Sequence, residues 1–313
     1  MAKFTMLMLA ALAAAPAMIV GPDWAFPPGQ RGSAEGKADP ARIVRLPGAE
    51  RTYSEAVVDG GAEAVDWRPR DHAPMPSIVA RAAKVDGFAC GYCHLPAGEG
   101  RPENASLAGL PAGYIVRQVE AMKSGERTGV RPSWVPTRLM LGVAKSVSPE
   151  DLRAAAAYFS RQQFTSRLRV VEAERIPTPT GAHFVYALAR RGTAPLNHRI
   201  IEAPADPEAF EERDARMTYT AYVPAGAIAR GAALARNGGP AARPCASCHG
   251  PNLTGGVGPP LAGRSPTYLF RQLLAFHNQA RREPAAGDMQ YVSAKLNQSD
   301  MINLAAYAAN LKP

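Results

Sequence analysis

Apolar positions along this chain recur with a helical beat in several short stretches, each carrying its own start and stop signals. Ser148-Pro149-Glu150-Asp151 supplies a serine N-cap, a proline at the first helical position and acids in the first turn. The stretch then runs through Leu152 and Ala154–Ala157 to Tyr158 and Phe159. A second such segment runs from Asn297 to Leu311, Tyr114–Lys123 and Tyr268–Phe276 predict two more helices, and Ala227–Arg236 a further one. Gly98–Pro102 and Gly255–Pro260 are too rich in breakers for regular structure and predict loops. Leu168–Val171, Phe184–Leu188 and Arg199–Ile201 are short β-favouring runs parted by Pro, Gly and Asn, which predict a small hairpin or meander. At the N-terminus Lys3 precedes an apolar run from Phe4 to Val20 with Ala15-Pro16-Ala17 as a cleavage site. That is the pattern of an export signal over 1–17, or of an uncleaved anchor to about 20.

The helical stretches come in pairs. Leu107-Ala108-Gly109, four residues, then Tyr114-Ile115-Val116-Arg117-Gln118 matches Leu261-Ala262-Gly263, four residues, then Tyr268-Leu269-Phe270-Arg271-Gln272. Further on, Met140 is followed by Asp151 and Tyr158 at the spacings by which Met289 is followed by Asp300 and Tyr307. Blocks in the same order at matched spacings predict two copies of one small helical unit, over 76–165 and 223–313. Residues 18–75, rich in Pro, Gly and charge, predict an irregular arm wrapping the first copy, and 166–222 form a linker or insert.

The four cysteines decide the chemistry. They fall as Cys90-Gly91-Tyr92-Cys93-His94 and Cys245-Ala246-Ser247-Cys248-His249, so each belongs to a Cys-x-x-Cys-His pentad and none is left over. A disulfide pair needs no such histidine, a cytosolic redox pair belongs with a βαβ pattern, and a four-cysteine zinc site more often has closer knuckles. The pentads predict two covalently attached haem c groups, held as thioethers by Cys90, Cys93, Cys245 and Cys248, with His94 and His249 carried beneath the iron. Units of this size have marginal cores, and a covalent haem supplies the missing apolar centre. His72, His183, His198 and His277 are read as ordinary surface or core histidines.

Net charge is +9, spread unevenly. Residues 18–80 carry 7 basic and 9 acidic residues, 81–165 carry 11 and 7, 166–222 carry 8 and 8, and 223–313 carry 9 and 3; Lys3 completes the sum. The surplus lies on the two haem-bearing segments. It predicts acidic redox protein partners, or serves solubility alone, and no basic run points to nucleic acid.

The pentads, the Leu-Ala-Gly…Tyr-x-x-Arg-Gln blocks and the Met-x10-Asp-x6-Tyr blocks resemble class I cytochromes c, specifically the diheme cytochrome c-four type. The resemblance covers roughly 76–165 and 223–313, and the arm and insert depart from it. It implies a mainly α fold with two tandem cytochrome c domains. It also implies Met140 and Met289 as sixth iron ligands, a match that their equivalence in the repeat supports, with Met122 and Met301 as rivals that have no counterparts. His/Met ligation leaves no open iron site and raises the potential, which favours outer-sphere electron transfer. In the family a proline carbonyl accepts the proximal histidine's second N–H; Pro259 holds that place in the second copy and Ala105 in the first. Tyr114, Arg117, Tyr268 and Arg271 reach haem propionates or make ordinary packing and solvent contacts. The expected function is periplasmic electron transfer between an exported dehydrogenase or membrane donor and a downstream oxidase or cytochrome. The alternative is a diheme enzyme of thiosulfate dehydrogenase or peroxidase type, and a redox or gas sensor lacks any accompanying signalling domain.

Overall fold

A computed structural model of the chain describes residues 18–29, 39–84 and 87–313. The expected leader falls outside these, and among the described residues no helix is long and apolar enough to cross a membrane. The arm contains β1 (Ile43–Val44), β2 (Tyr53–Ser54) and α1 (Glu55–Gly60). The first copy follows as α2 (Ser77–Ala80), α3 (Cys90–His94), α4 (Ala112–Ser124), α5 (Val135–Ser146) and α6 (Pro149–Ser160). The insert carries β3 (Leu168–Glu172), β4 (Arg175–Ala182), β5 (Val185–Pro195), β6 (Ile201–Pro204), α7 (Pro207–Glu211) and β7 (Tyr219–Val223). The second copy is α8 (Ala227–Asn237), α9 (Ala246–His249), α10 (Pro266–His277), α11 (Gly287–Ser293) and α12 (Gln298–Asn310).

Local chemistry fixes the helix ends. Ser148 Oγ accepts from the Asp151 N–H, Ser265 Oγ from the Tyr268 N–H, and Asn297 and Asp300 close a reciprocal capping box. The starts at Ser148 and Asn297 were legible in the sequence, whereas the helix expected from Tyr268 begins two residues earlier, after the Ser265 cap. In the second copy α8 crosses α12 at Gly231, where a Cβ would fall inside contact distance of the Asn303 carbonyl oxygen and 2.7 Å from Tyr307 Cβ. Its first-copy counterpart, α2, is a single turn that meets α6, so the two copies differ at their openings.

In the insert the three β-favouring runs lie in or beside β3, β5 and β6, and Pro-rich β4 and Tyr-rich β7 complete the pattern. β3 pairs in parallel with β7, which pairs antiparallel with β6, and β4 and β5 form a hairpin. The parallel pairing closes only because the chain returns through the hairpin and α7, a long crossover that a meander does not contain.

The arm does not confine itself to the first copy. Trp24, Ala25 and Phe26 enter the apolar core of the second copy with Phe270, Leu274 and Met301. Asn278 also pairs with the Ile19 backbone in both directions, at 3.0 and 2.7 Å. Large aromatic side chains bury where an apolar core is available, and the second copy supplies it. Further along, Val44, Leu46, Val58, Val65 and Trp67 cluster around Tyr92 of the first pentad. The insert is bolted to this layer by Arg68–Asp214 at 2.6 Å and by the Trp67 indole N–H on the Glu212 carbonyl at 2.8 Å.

Candidate haem-binding sites

Both pentads are helical turns that carry their histidines into the interior. The first packs so closely that a Cβ on Gly91 would sit 2.8 Å from the Val79 carbonyl oxygen. His94 Nδ1 donates to the Ala105 carbonyl at 2.8 Å, and His249 Nδ1 donates to the Pro259 carbonyl at 2.8 Å. Burial lowers the pKa of each imidazole against the opposing pull of that carbonyl, so both rings are neutral. A neutral ring whose Nδ1 carries the proton presents a bare Nε2 lone pair, the form a metal takes. The glycine loop after the second pentad is shaped to its ring, since a Cβ on Gly258 would lie 2.8 Å from His249 Nδ1 and Cε1.

In front of His94 lies a cavity of about 250 Å³ that Cys90, Cys93 and His94 help to line. Its walls are largely apolar, with Leu107, Leu110, Ile115, Val119, Leu152 and Phe159 among them. Met140, from α5, and Met122, from α4, both line it. Lining the cavity therefore does not separate Met140 from its rival Met122. The cavity is also strongly cationic: Arg101, Arg127, Arg213, Arg271 and Arg281 line it, with Glu103 the one carboxylate among the described lining residues. Burial pulls the Arg271 guanidinium down to about 10, which still leaves it charged at neutral pH. An apolar slot with two cysteines, a bare imidazole nitrogen and surplus guanidinium fits a haem, whose two propionates supply the missing negative charge.

The second site is more open. His249 is buried, Cys245 half-buried and Cys248 exposed. Met289 is half-buried on α11, whereas Met301 is fully buried in the helical core with Ile302 and Ala305. Core filling accounts for Met301.

The remaining sequence candidates are distributed unevenly. Tyr114 lines the first cavity, while Arg117 is exposed and does not. Tyr268 and Arg271 also line the first cavity, reaching across from the second copy. Arg271 donates to the Ala25 carbonyl at 2.9 Å and to the Pro102 carbonyl, and lies over the Trp134 ring. Sequence reasoning missed Arg127 and Arg281. They lie thirteen residues after Tyr114 and Tyr268, so the repeat held the signal. Arg127 donates to Gln118 at 2.8 Å and to Gln272 of the other copy at 2.9 Å, and Arg281 likewise reaches Gln272 at 3.3 Å and Gln118. The insert's contributions, Arg213, His183 and Phe184, had no sequence signal at all.

Comparison with known proteins points to the same cofactor. Residues 228–312 match the cytochrome c family. Cytochrome c4 of Azotobacter vinelandii is 29% identical over 240 residues, covering 74% of this chain and 89% of its own. The chain is a diheme electron-transfer cytochrome c. The thiosulfate dehydrogenase electron acceptor of Stutzerimonas stutzeri (strain A1501) is 28% identical to this cytochrome over 237 residues, 73% of the chain and 82% of the relative. Among solved structures, reduced recombinant cytochrome c4 from Pseudomonas stutzeri aligns with the cytochrome at a TM-score of 0.44 and 24% identity, over 71% of this chain and 93% of that one. Each of the two Cys-x-x-Cys-His pentads in this cytochrome presents a buried histidine oriented by a backbone carbonyl.

Proposed function

We propose that this cytochrome is exported and carries electrons between an exported dehydrogenase or membrane donor and a downstream oxidase or cytochrome. Haem, when bound, supplies a one-electron iron couple. Cys90 and Cys93 anchor the first haem and Cys245 and Cys248 the second; His94 with Met140, and His249 with Met289, hold the two irons. The observation that carries the reading is the pair of neutral, buried imidazoles, each fixed through Nδ1 on a backbone carbonyl with Nε2 left bare. A thioether as sixth ligand favours the ferrous state and raises the potential, which suits a carrier. Partners are redox proteins with acidic docking surfaces, in keeping with a basic surplus on both haem segments. The relatives named as thiosulfate dehydrogenase electron acceptors receive electrons from an enzyme, which favours carriage over the enzymatic alternative.

A denatured haemochrome assay with mass spectrometry tests the attachment: two added haems are expected, and one or none refutes it. Met140→Ala should abolish the near-infrared sulfur-to-iron band of one ferric haem and lower its potential, and Met289→Ala should do so for the other. Met122→Ala should leave both bands in place. Loss of a band in Met122→Ala rather than Met140→Ala transfers the ligand role to Met122.

A further inference from the structure

The two pentads are equivalent in sequence but differ in what covers them. A thioether sulfur is bonded directly to the porphyrin periphery, so a covered cysteine means a covered haem edge. Cys93 packs against the arm cluster of Val58, Val65 and Trp67. Over its neighbour Tyr92 lies the Arg213 guanidinium, 3.5 Å from the ring centroid, and Arg213 also donates to the Val58 and Tyr92 carbonyls. Arm and insert thus close the first edge together. Among the described residues no such layer covers Cys248, which is exposed, as are Ser247 beside it and Val257, which is 98% exposed. Val257 rides on the loop whose Gly258 N–H bonds the Cys248 carbonyl at 2.8 Å, so it borders the same edge.

This open edge has a cationic flank. Arg243, two residues before Cys245, lies over Tyr291 at 4.7 Å and pairs with Asp288, next to Met289. Lys295 lies over the same ring at 4.4 Å. Of the nine basic residues in 223–313, Arg264, Arg271 and Arg281 are buried and Arg230, Arg236, Arg243, Arg282, Lys295 and Lys312 are exposed, against Asp288 exposed and Asp300 half-buried. The first copy also has exposed basic residues, Arg117 and Lys123 among them, so charge alone does not choose between the copies. Access does.

We infer that partner proteins exchange electrons with this chain through the second haem, at the face around Cys248 and Val257, and that this face takes an acidic redox protein. The inference rests on the carrier reading above. Electrons reach the first haem by way of the second, across the contact between the copies.

The test measures reduction of the fully haem-loaded ferric protein by a pre-reduced plant-type [2Fe–2S] ferredoxin, an acidic one-electron donor, in a stopped-flow instrument. Each encounter oxidises one cluster and reduces one iron. Val257→Glu and Lys295→Glu should each lower the second-order rate roughly 10-fold at low salt, since opposing charge at a steering rim acts on association. Arg117→Glu and Lys123→Glu on the first copy should change it less than about twofold. Equal or greater slowing by the first-copy variants, or no slowing by the second-copy variants, overturns the inference. A neutral hydroquinone donor runs in parallel: if both donors reduce the wild type but no variant discriminates, the docking face is wrong and the carrier reading stands. If neither donor reduces the haems, the carrier reading itself fails and the docking inference falls with it.

Discussion

Severing the guanidinium bridge between the copies offers the sharpest energetic test of how the two units are joined. Arg127 Nη1 donates to Gln118 Oε1 at 2.8 Å within its own copy, and Nη2 donates to Gln272 Oε1 at 2.9 Å in the other. Both bonds are short and linear enough to count, and Arg127 is only 8% exposed. In Arg127→Met these two charged bonds are lost, at about 1.5–3 kcal/mol each, together with a longer one to the Tyr268 hydroxyl at 3.3 Å. Neither glutamine oxygen is orphaned, because Arg281 still donates to both. Relief from holding a guanidinium out of water offsets part of the loss, leaving a net cost of about 2–4 kcal/mol. The share carried by the bond to Gln272 is isolated by a double-mutant cycle with Gln272→Met, where the expected coupling is about 1.5–3 kcal/mol. Urea unfolding of the haem-loaded protein, followed at the Soret band and by far-ultraviolet circular dichroism, measures all four corners. A coupling below about 0.5 kcal/mol would mean that the guanidinium does not hold Gln272 when the haems are in place, and the bridge would be refuted.

Two further outcomes follow from the packing and the buried polar groups. Gly231→Ala should destabilise the second copy by about 1–3 kcal/mol or more, because its new methyl meets the Asn303 carbonyl and Tyr307 across the α8–α12 crossing; an unchanged melting temperature would show that the helices part freely. For His72, burial opposes the charged form, but the Asp66 carboxylate at 3.1 Å and the Ala73 carbonyl outweigh it and raise the pKa above 6.5. The stabilisation is therefore fully present below about pH 6.5 and is lost as pH rises through the folded value. Hydrogen exchange in the arm should accelerate over that window, and His72→Gln should flatten the dependence.

What the sequence disclosed was whatever chemistry had fixed to a local pattern. The caps at Ser148 and Asn297 and the pentads depend on residues a few positions apart, and spacing along the chain preserves them, whereas the carbonyl partners Ala105 and Pro259 came from the family resemblance. The repeat extended that reach, placing Tyr268 and Arg271 on the correct helix but not on the correct cavity. Their helix lies against the first site because the copies meet face to face, a tertiary fact that one copy's sequence does not encode. Arg213 was invisible for a different reason. It sits in an irregular segment at φ 61° and acts through its side chain over Tyr92, 121 positions away, with no periodicity to mark it. The arm's route into the second core was equally hidden, since Trp24 and Phe26 announce a need for burial without naming the site.

The asymmetry of cover and charge carries one more consequence, for the redox potentials. Around the first cavity Arg213 spends its donors on the Val58 and Tyr92 carbonyls, with no carboxylate in hydrogen-bond contact among the described residues, and burial and the neighbouring Arg101 charge outweigh the pull of Glu103 and lower its pKa. The ferric site carries one positive charge more than the ferrous site, so a nearby guanidinium favours reduction. For an assumed separation on the order of 10 Å and an effective dielectric of about 20, one unit charge contributes about 1.7 kcal/mol, or ~70 mV for a one-electron couple. The second site, with Cys248 exposed, has water to screen whatever charges lie near it. The first haem should therefore have the higher potential, and Arg213→Met should lower that potential by about 50–100 mV while moving the second by much less. A spectroelectrochemical titration resolves the two couples, and Met140→Ala assigns them by removing the near-infrared band of one. If the His94 haem proves the lower of the two, or if Arg213→Met shifts neither couple, then the buried guanidiniums are neutralised in the loaded protein and do not set the order of reduction.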